Sequence, residues 1–309
     1  MIKCPKEYKI PTNDWLRPIK ILIDEYNLEN PKNIIYESEL IETEIKRENI
    51  LVKVSKVDTL LNTTEEIYKY IKDSIHVVKI YCFLHCNENK TYLDNNHKDV
   101  LGFCNATHVD EDKQLISLEI MKKYNSSLKK YEEKLKLTPM IHYLKYLLLI
   151  QIDLFNNYGF THNDIHLGNI LVKKERENIT YKFIIDDKEI EIITNKTLVL
   201  TDFEESLIIS KKTRKIMLQS DKCKYMNTLE SNIYSTFSMM IELLKDDKEK
   251  YELSRILKKN TIDKNDSIEL FVAFCNKSID INKYKKRINK LILSIISLLF
   301  KEMFNQDFI

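Results

Sequence analysis

Near Tyr124 the hydrophobic period changes from strand-like to helical, and this change constrains the fold more than any other feature. From Asn33 to about Glu119 the apolar residues come in short runs, NIIYESE, TEIKREN, NILVKVSK, HVVKIYCFL and LISLEIM, rich in the β-branched and aromatic residues that suit strands. One helical pattern interrupts them. Thr63 and Glu66 have capping-box spacing, and Ile67, Tyr70, Ile71 and Ser74 then recur on one face. The first part of the chain is therefore expected to be a small sheet with a single helix, preceded by a helix-rich segment from Asp14 to Leu28.

Beyond Tyr124, Met140, Tyr143, Leu144, Leu147, Leu148, Gln151, Leu154, Phe155 and Tyr158 form a stripe that stops at Gly159. Thr138 is expected to cap this helix, and Pro139 suits its first turn. Strand patterning returns at Ile170. ILVKK, ITYKFII, a turn at Asp186-Asp187, KEIEIIT, a turn at Asn195-Lys196 and TLVLTDFEE follow in order. From Asn232 to Ile309 the pattern is helical again, including the most apolar window, Leu291 to Phe300. That window is about half a membrane span, so it is expected to be a buried helix rather than a span.

At 309 residues, with 43% hydrophobic and 31% charged positions, the chain can fill one large domain or two lobes. Its 49 basic and 47 acidic residues give a formal charge of +2, so no whole-molecule field points to nucleic acid or a membrane surface. The six cysteines are scattered. Although Cys82, His85 and Cys86 lie close in sequence, no second ligand pair follows at zinc-site spacing, and the cysteines are read as reduced cytosolic thiols. The opening MIKCPKEYKIPTNDW lacks the apolar core of a signal peptide, which places the expected location in the cytoplasm.

The stretch THNDIHLGNILV puts strongly polar side chains beside apolar strands. Asp164 and Asn169 sit five residues apart after the long helix, and Asp202 follows the strand TLVL. Two loop carboxylates next to buried strands repel each other unless a cation is present. Two carboxylates and an amide on loops at strand ends are also what magnesium-assisted phosphoryl transfer requires. Taken singly, Lys53 fits a solvated strand edge and Glu66 a helix cap.

In serial order, HNDIHLGN followed by TDFE resembles the catalytic loop and metal-binding motif of the protein-kinase-like superfamily, and the resemblance extends over roughly Asn33 to Phe300. It implies an α+β, two-lobed fold: an N-lobe at 33–121 with a small antiparallel sheet and one main helix, and a larger, mostly helical C-lobe at 122–309. Residues 1–32 would be an N-terminal extension, and a β-rich insertion would occupy about 174–196. It implies ATP with Mg2+ or Mn2+ bound between the lobes. Lys53 would hold the α and β phosphates, Glu66 (or Glu65) would pair with that lysine, and backbone groups at Glu119 to Met121 would meet adenine. Asp164 would accept or orient the hydroxyl proton, His166 would meet the developing charge on the γ-phosphoryl group, and Asn169 and Asp202 would hold the metal.

Several positions depart from the family pattern. No glycine precedes Gly102, so the glycine-rich phosphate cover is missing, and ESELIETE brings Glu37, Glu39, Glu42 and Glu44 near where that turn belongs. Asn163 replaces the usual arginine, which implies no control by loop phosphorylation. Asn232 stands where the family usually has aspartate. His166 and Glu204 resemble choline-kinase-like and aminoglycoside-kinase-like phosphotransferases, whereas NIYSTFSMMIELL and the insertion resemble the serine/threonine kinases of poxviruses and other large DNA viruses. The implied activity is transfer to a Ser/Thr hydroxyl of a protein substrate, in host cytoplasm if viral, with no nucleic-acid partner and no membrane span. A small-molecule kinase and a pseudokinase scaffold are the alternatives.

Overall fold

The computed structural model describes residues 16–27, 30–40, 50–56, 62–87, 115–131, 134–210, 229–261 and 266–309. These fall into two compact units, one within 1–66 and 78–124, the other within 67–77 and 125–309.

The first unit is a five-stranded sheet of β1 (Leu16–Asn27), β2 (Asn30–Leu40), β3 (Ile50–Lys56), β4 (Ile80–Asn87) and β5 (Leu115–Lys122), in the order β1-β2-β3-β5-β4. Every neighbouring pair is antiparallel. Ile50 and Val52 on β3 and Leu118 and Ile120 on β5 are fully buried, as inner strands rich in β-branched and apolar residues should be. The sheet begins earlier than the sequence suggests. Residues 16–27, expected to be helical, form the edge strand β1 instead, a position that tolerates Pro18, and the run IKILI pairs with β2. ESEL is likewise strand rather than turn: Glu37 and Glu39 lie in β2 in register with Lys20 and Arg17 of β1. Glu42, Glu44 and the run TEIKREN lie outside the described residues.

Helix α1 (Asn62–Ile71) buries Thr64, Ile67, Tyr68 and Ile71, an i, i+3, i+4, i+7 face. The expected face is rotated, since Tyr70 is exposed and Ser74 lies beyond the helix. Thr63 sits inside the helix rather than at its cap.

The second unit is mostly helical: α2 (Leu128–Tyr131), α3 (Leu137–Tyr158), α4 (Leu229–Glu242), α5 (Asp247–Thr261), α6 (Asp266–Cys275) and α7 (Ile281–Phe304). The central helix α3 packs on α4 and α7. Phe155 meets Tyr284 of α7 edge-on at 6.3 Å, and Phe237 of α4 meets Phe300 of α7 at 6.0 Å. Helix α3 starts two residues earlier than expected, with Lys136 as its N-cap and no side-chain cap bond. Pro139 still falls in the first turn, where its missing N–H has no intrahelical partner to lose. Asp280 caps α7 by accepting the Lys283 N–H at 2.8 Å, and Asp246 does the same for the Lys248 and Glu249 N–H groups at the start of α5. The apolar window 291–300 lies within α7, and among the described residues no helix is long and apolar enough to cross a membrane.

A long hairpin, β8 (Ile170–Ile185) and β9 (Lys188–Leu200), projects from this unit; β6 (Ser126–Ser127) pairs along the base of β8. The turn at Asp186-Asp187 is as expected, both residues having positive φ (47° and 61°), the conformation of a two-residue hairpin turn. The expected turn at Asn195-Lys196 does not form. β9 runs straight through it, and the irregularity falls on β8 instead, where Lys174 to Ile179 spans only Lys196 to Thr194 of the partner. Tyr181, Phe183 and Ile185 alternate with exposed residues and bury one face of the hairpin. The thiol reading also changes, because Cys82 and Cys275, both buried, are each held in a disulfide.

Candidate active site

The site is assembled within the second unit by three short segments, and a glycine sets up the first. Gly159 ends α3 in the left-handed region (φ 71°), its N–H donating to Phe155 O at 2.8 Å. A Cβ there would lie 2.7 Å from the carbonyl oxygen of Ile209, whose N–H donates to Gly159 O. This close approach starts β7 (Phe160–Thr161), which pairs with β10 (Leu207–Ile208). The two strands flank residues 162–169 on one side and 202–206 on the other.

His162 holds the loop from inside. Its ring is buried, Nε2 donates to Thr201 O at 2.8 Å, and Nδ1 accepts the Asp164 N–H at 3.4 Å. Burial pushes its pKa below the ordinary 6.5, outweighing the Thr201 bond, so the ring works as a neutral donor and acceptor. Phe203, also buried, packs edge-on against Phe160 and His162, both at 5.8 Å.

Asn163 and Asp202 both take left-handed backbone conformations (φ 64° and 65°), which Asn and Asp tolerate better than β-branched residues. Asn232 of α4 binds Asn163 twice. Its Oδ1 accepts the Asn163 N–H at 2.8 Å, and its Nδ2 donates to Asn163 Oδ1 at 3.0 Å. Asn163 Nδ2 then donates to Glu205 O at 3.0 Å, and Ser206 Oγ donates to His162 O at 3.0 Å.

Asn169 is buried and ties the site together. Its Nδ2 donates to both the carbonyl oxygen and the Oδ2 of Asp164, at 3.0 and 3.1 Å. Its own carbonyl accepts the Thr201 N–H at 3.0 Å, which fixes the residue just before Asp202. Because Nδ2 is committed to Asp164, the amide oxygen is turned the other way. His166 caps the 3-10 turn Leu167–Asn169: Nδ1 accepts the Gly168 N–H at 3.0 Å, which leaves Nε2 as the donor of the ring, 3.7 Å from Asp164 Oδ2. Gly168 is needed for this, since a Cβ would stand 2.9 Å from Nδ1.

The donor set suits a hard cation. Asn169 offers an amide oxygen and Asp202 a carboxylate, whereas among the described residues no group of three His, Cys, Asp or Glu could hold a metal ion by itself. Magnesium is commonly held by one or two protein oxygens together with substrate phosphates and water. The residues therefore fit a metal that arrives with a phosphorylated ligand.

The first unit carries the other expected residues. Lys53 is buried in β3, directly in register with the buried Glu119 of β5; side chains at directly opposed positions share a face of the sheet. Glu119 and Met121 lie inside β5, which is paired on both sides, by β3 and by β4, so the sheet ladder takes up their backbone groups. The first residues past the strand are Lys123 and Tyr124. In α1, Glu65 is half-buried and Glu66 exposed. The structure thus brings Asp164, His166, Asn169 and the Asp202 backbone together, and sets Lys53 beside Glu119. Sequence reasoning missed the Asn163–Asn232 pair. Each residue stood out as a departure from the family pattern, and that both departures led to asparagine was the signal that could have joined them.

No protein-family model matches the chain, and no curated protein matches it. Among solved structures the chain is similar to the kinase PK-1 of the Cydia pomonella granulovirus, at 15% identity and a TM-score of 0.37. The match covers 64% of this chain and 55% of that one, so it spans about half the length of that structure.

Proposed function

We propose that the chain is an ATP-dependent phosphotransferase of the protein-kinase-like kind, passing the γ-phosphate of ATP to a serine or threonine hydroxyl of a protein. One observation carries this: the buried Asn169 amide orients the Asp164 carboxylate while its backbone holds the strand end that presents Asp202. A purely structural loop has no need to fix one carboxylate with a buried amide and set a second directly after the strand end that the same residue holds.

In this mechanism Asp164 accepts or orients the proton of the incoming hydroxyl. Its Oδ2 is held by Asn169, which leaves Oδ1 for the substrate. Asn169 and Asp202 would hold magnesium or manganese, which when bound neutralises charge on the phosphates. His166, with its proton on Nε2, donates toward charge developing on the γ-phosphoryl oxygens. Lys53 holds the α and β phosphates, with Glu66 or Glu65 as its partner.

The test is transfer from radiolabelled ATP with magnesium or manganese to mixed protein substrates, choline and an aminoglycoside, using wild type, Asp164→Ala and Asp202→Ala. Transfer to protein is expected. Transfer only to the small molecules would make the chain a small-molecule kinase, and none at all a binding scaffold. Asp164→Ala should keep nucleotide binding while turnover falls by about a hundredfold or more, the range for losing a positioned acid–base group. Asp202→Ala should weaken binding of nucleotide with metal. If both variants lost nucleotide binding equally while remaining folded, the two roles would be wrongly assigned.

A further inference from the structure

The near-balance of 49 basic and 47 acidic residues hides a local separation of charge. Between 277 and 290 the chain carries Lys277, Lys283, Lys285, Lys286, Arg287 and Lys290 against Asp280 alone. At 3.6 residues per turn, Lys283, Lys286, Arg287 and Lys290 of α7 fall within an arc of about 100°, and all four are exposed. Tyr284, Ile288 and Asn289 fill the opposite, buried side, where Asn289 donates to Asp186 of the hairpin tip at 3.2 Å. Ser294, Ser297 and Lys301, also exposed, carry the row on along the helix. Structural duties do not account for these cations. Lys285 has one, since its Nζ donates to Asn156 O near the end of α3 at 3.3 Å. The other four make no ion pair among the described residues, whereas Lys173 pairs with Glu175, Lys182 with Glu189 and Lys250 with Glu242. Their placement also works against the helix. Lys283 stands in the first turn, beside the positive end of the helix dipole, where a cation is disfavoured. Helix α5 follows the opposite rule, with Asp247 and Glu249 in its first turn and Lys258 and Lys259 in its last. The first turn of α7 has no acid, and Asp280 before it serves as the cap.

We propose that this face of α7 is a contact surface for duplex nucleic acid, engaged through the phosphate backbone without reading sequence. The four cations span about 10 Å at 1.5 Å per residue, and over that length a duplex displays about six phosphate charges. The hydroxyls of Ser294 and Ser297 continue the line with donors of the kind that accompany Lys and Arg on phosphate oxygens. A single strand suits the face less, because such sites stack bases on aromatic rings, and Tyr284, the one aromatic residue within 283–290, is 1% exposed. An anionic membrane suits it less too, since Tyr284 and Ile288 are buried and cannot enter lipid. An extended acidic peptide needs side-chain pockets or a strand edge, and this row offers charge and hydroxyls. The expectation of no nucleic-acid partner came from the net charge, which averages this face away. Salt confines the field of exposed charges to about 10 Å, so the local row decides the contact. The surface does not depend on the phosphotransfer reading.

The experiment is fluorescence anisotropy of the full chain with labelled mixed-sequence duplexes of DNA and of RNA, between about 50 and about 200 mM KCl. Binding to either duplex supports the proposal, and comparing the two shows which backbone is preferred. The dissociation constant should fall at about 10⁻⁴ to 10⁻⁶ M near physiological salt, as for contacts that read no sequence. The logarithm of the association constant should decline against that of salt with a slope of about −3.6 for four phosphate contacts. Lys283→Ala, Lys286→Ala, Arg287→Ala and Lys290→Ala should each reduce the slope by about 1, and the four together should weaken binding about tenfold or more. A control variant replaces Lys129, Lys130, Lys174 and Arg176, exposed cations elsewhere in the same unit, with alanine. It removes the same charge and should leave the slope unchanged. Equal losses in the two quadruple variants, or no loss in the α7 variant, would overturn the proposal. So would tighter binding to single strands, polyglutamate or phosphatidylserine vesicles at the same salt, or no binding to either duplex at the lowest salt. The α7 variant should melt no lower than the wild type, since it removes only exposed side chains. If it does not fold, the four single variants carry the test.

Discussion

Acid should weaken the second unit through one histidine. His76 is buried between the rings of Tyr146, Tyr181 and Phe183, with centroids 5.5, 5.2 and 5.7 Å away. Its Nδ1 lies 3.1 Å from Leu198 O and so donates to it, which leaves Nε2 as the atom that would take a proton among aromatic rings. Burial lowers its pKa from 6.5 to about 4, and the Leu198 bond offsets only part of this. The unfolded chain therefore protonates first. Stability is complete above pH 6.5 and falls as the pH drops toward about 4. At 1.36 kcal/mol per pH unit the full loss comes to about 3 kcal/mol, of which about 2 kcal/mol is lost between pH 7 and pH 5. Urea unfolding at pH 7, 6 and 5 measures it, with His76→Asn as the reference, since the asparagine amide can still donate to Leu198 O but does not titrate. The wild type should lose about 2 kcal/mol more than the variant over that interval. Parallel pH profiles would refute the reasoning. His76 O also accepts the Leu200 N–H at 2.8 Å, two residues before Asp202, so acid should quicken exchange at Leu200 as well.

Gly159→Ala should cost about 1–3 kcal/mol in thermal or urea unfolding, because it forces a Cβ into the left-handed region and against Ile209 O at 2.7 Å. Gly168→Ala is expected to displace the His166 ring, lowering phosphate-transfer turnover while stability changes by less than in Gly159→Ala; unchanged kcat would remove His166 from the site. Saturating ATP with magnesium, at about 100 times its dissociation constant, should add about 2.7 kcal/mol of stability, and a flat melting curve at millimolar nucleotide would refute nucleotide binding. Phosphatase treatment should leave activity unchanged even if Thr213 or Ser220, hydroxyls of the segment after Asp202 that lie outside the described residues, is phosphorylated, since Asn163 cannot receive a phosphate as arginine would; a large loss on dephosphorylation would point to another basic group taking over.

What could be read from the sequence is what depends on period and local chemistry. β3 and β5 follow from NILVKVSK and LISLEIM, α3 from its stripe and terminal Gly159, and the hairpin tip from two adjacent aspartates that tolerate positive φ. What failed depended on partners. Residues 16–27 carry no strong alternation, and they are a strand because β2 supplies a ladder that sequence spacing cannot display. The face of α1 is rotated from the expected one, because Tyr70 and Tyr68 are equally apolar and only burial separates them. The turn expected at Asn195-Lys196 failed for a related reason. The extra residues sit on the opposite strand, so the signal for irregularity and its location are on different segments.

The candidate site divides in the same way. Asp164, Asn169 and Asp202 were visible because chemistry dictates their type and spacing, and the structure adds the amide bond that sets Asp164 and the carbonyl that holds Thr201. The residues that hold them in place were not visible as such. His162, Asn163, Ser206 and Asn232 act through backbone atoms of residues 39 to 69 positions away, and any donor or acceptor of the right length could serve there. What these positions require is reach together with a donor or an acceptor, so their part shows in the geometry and not in the residue type: Asn232 both accepts the Asn163 N–H and donates to its side chain.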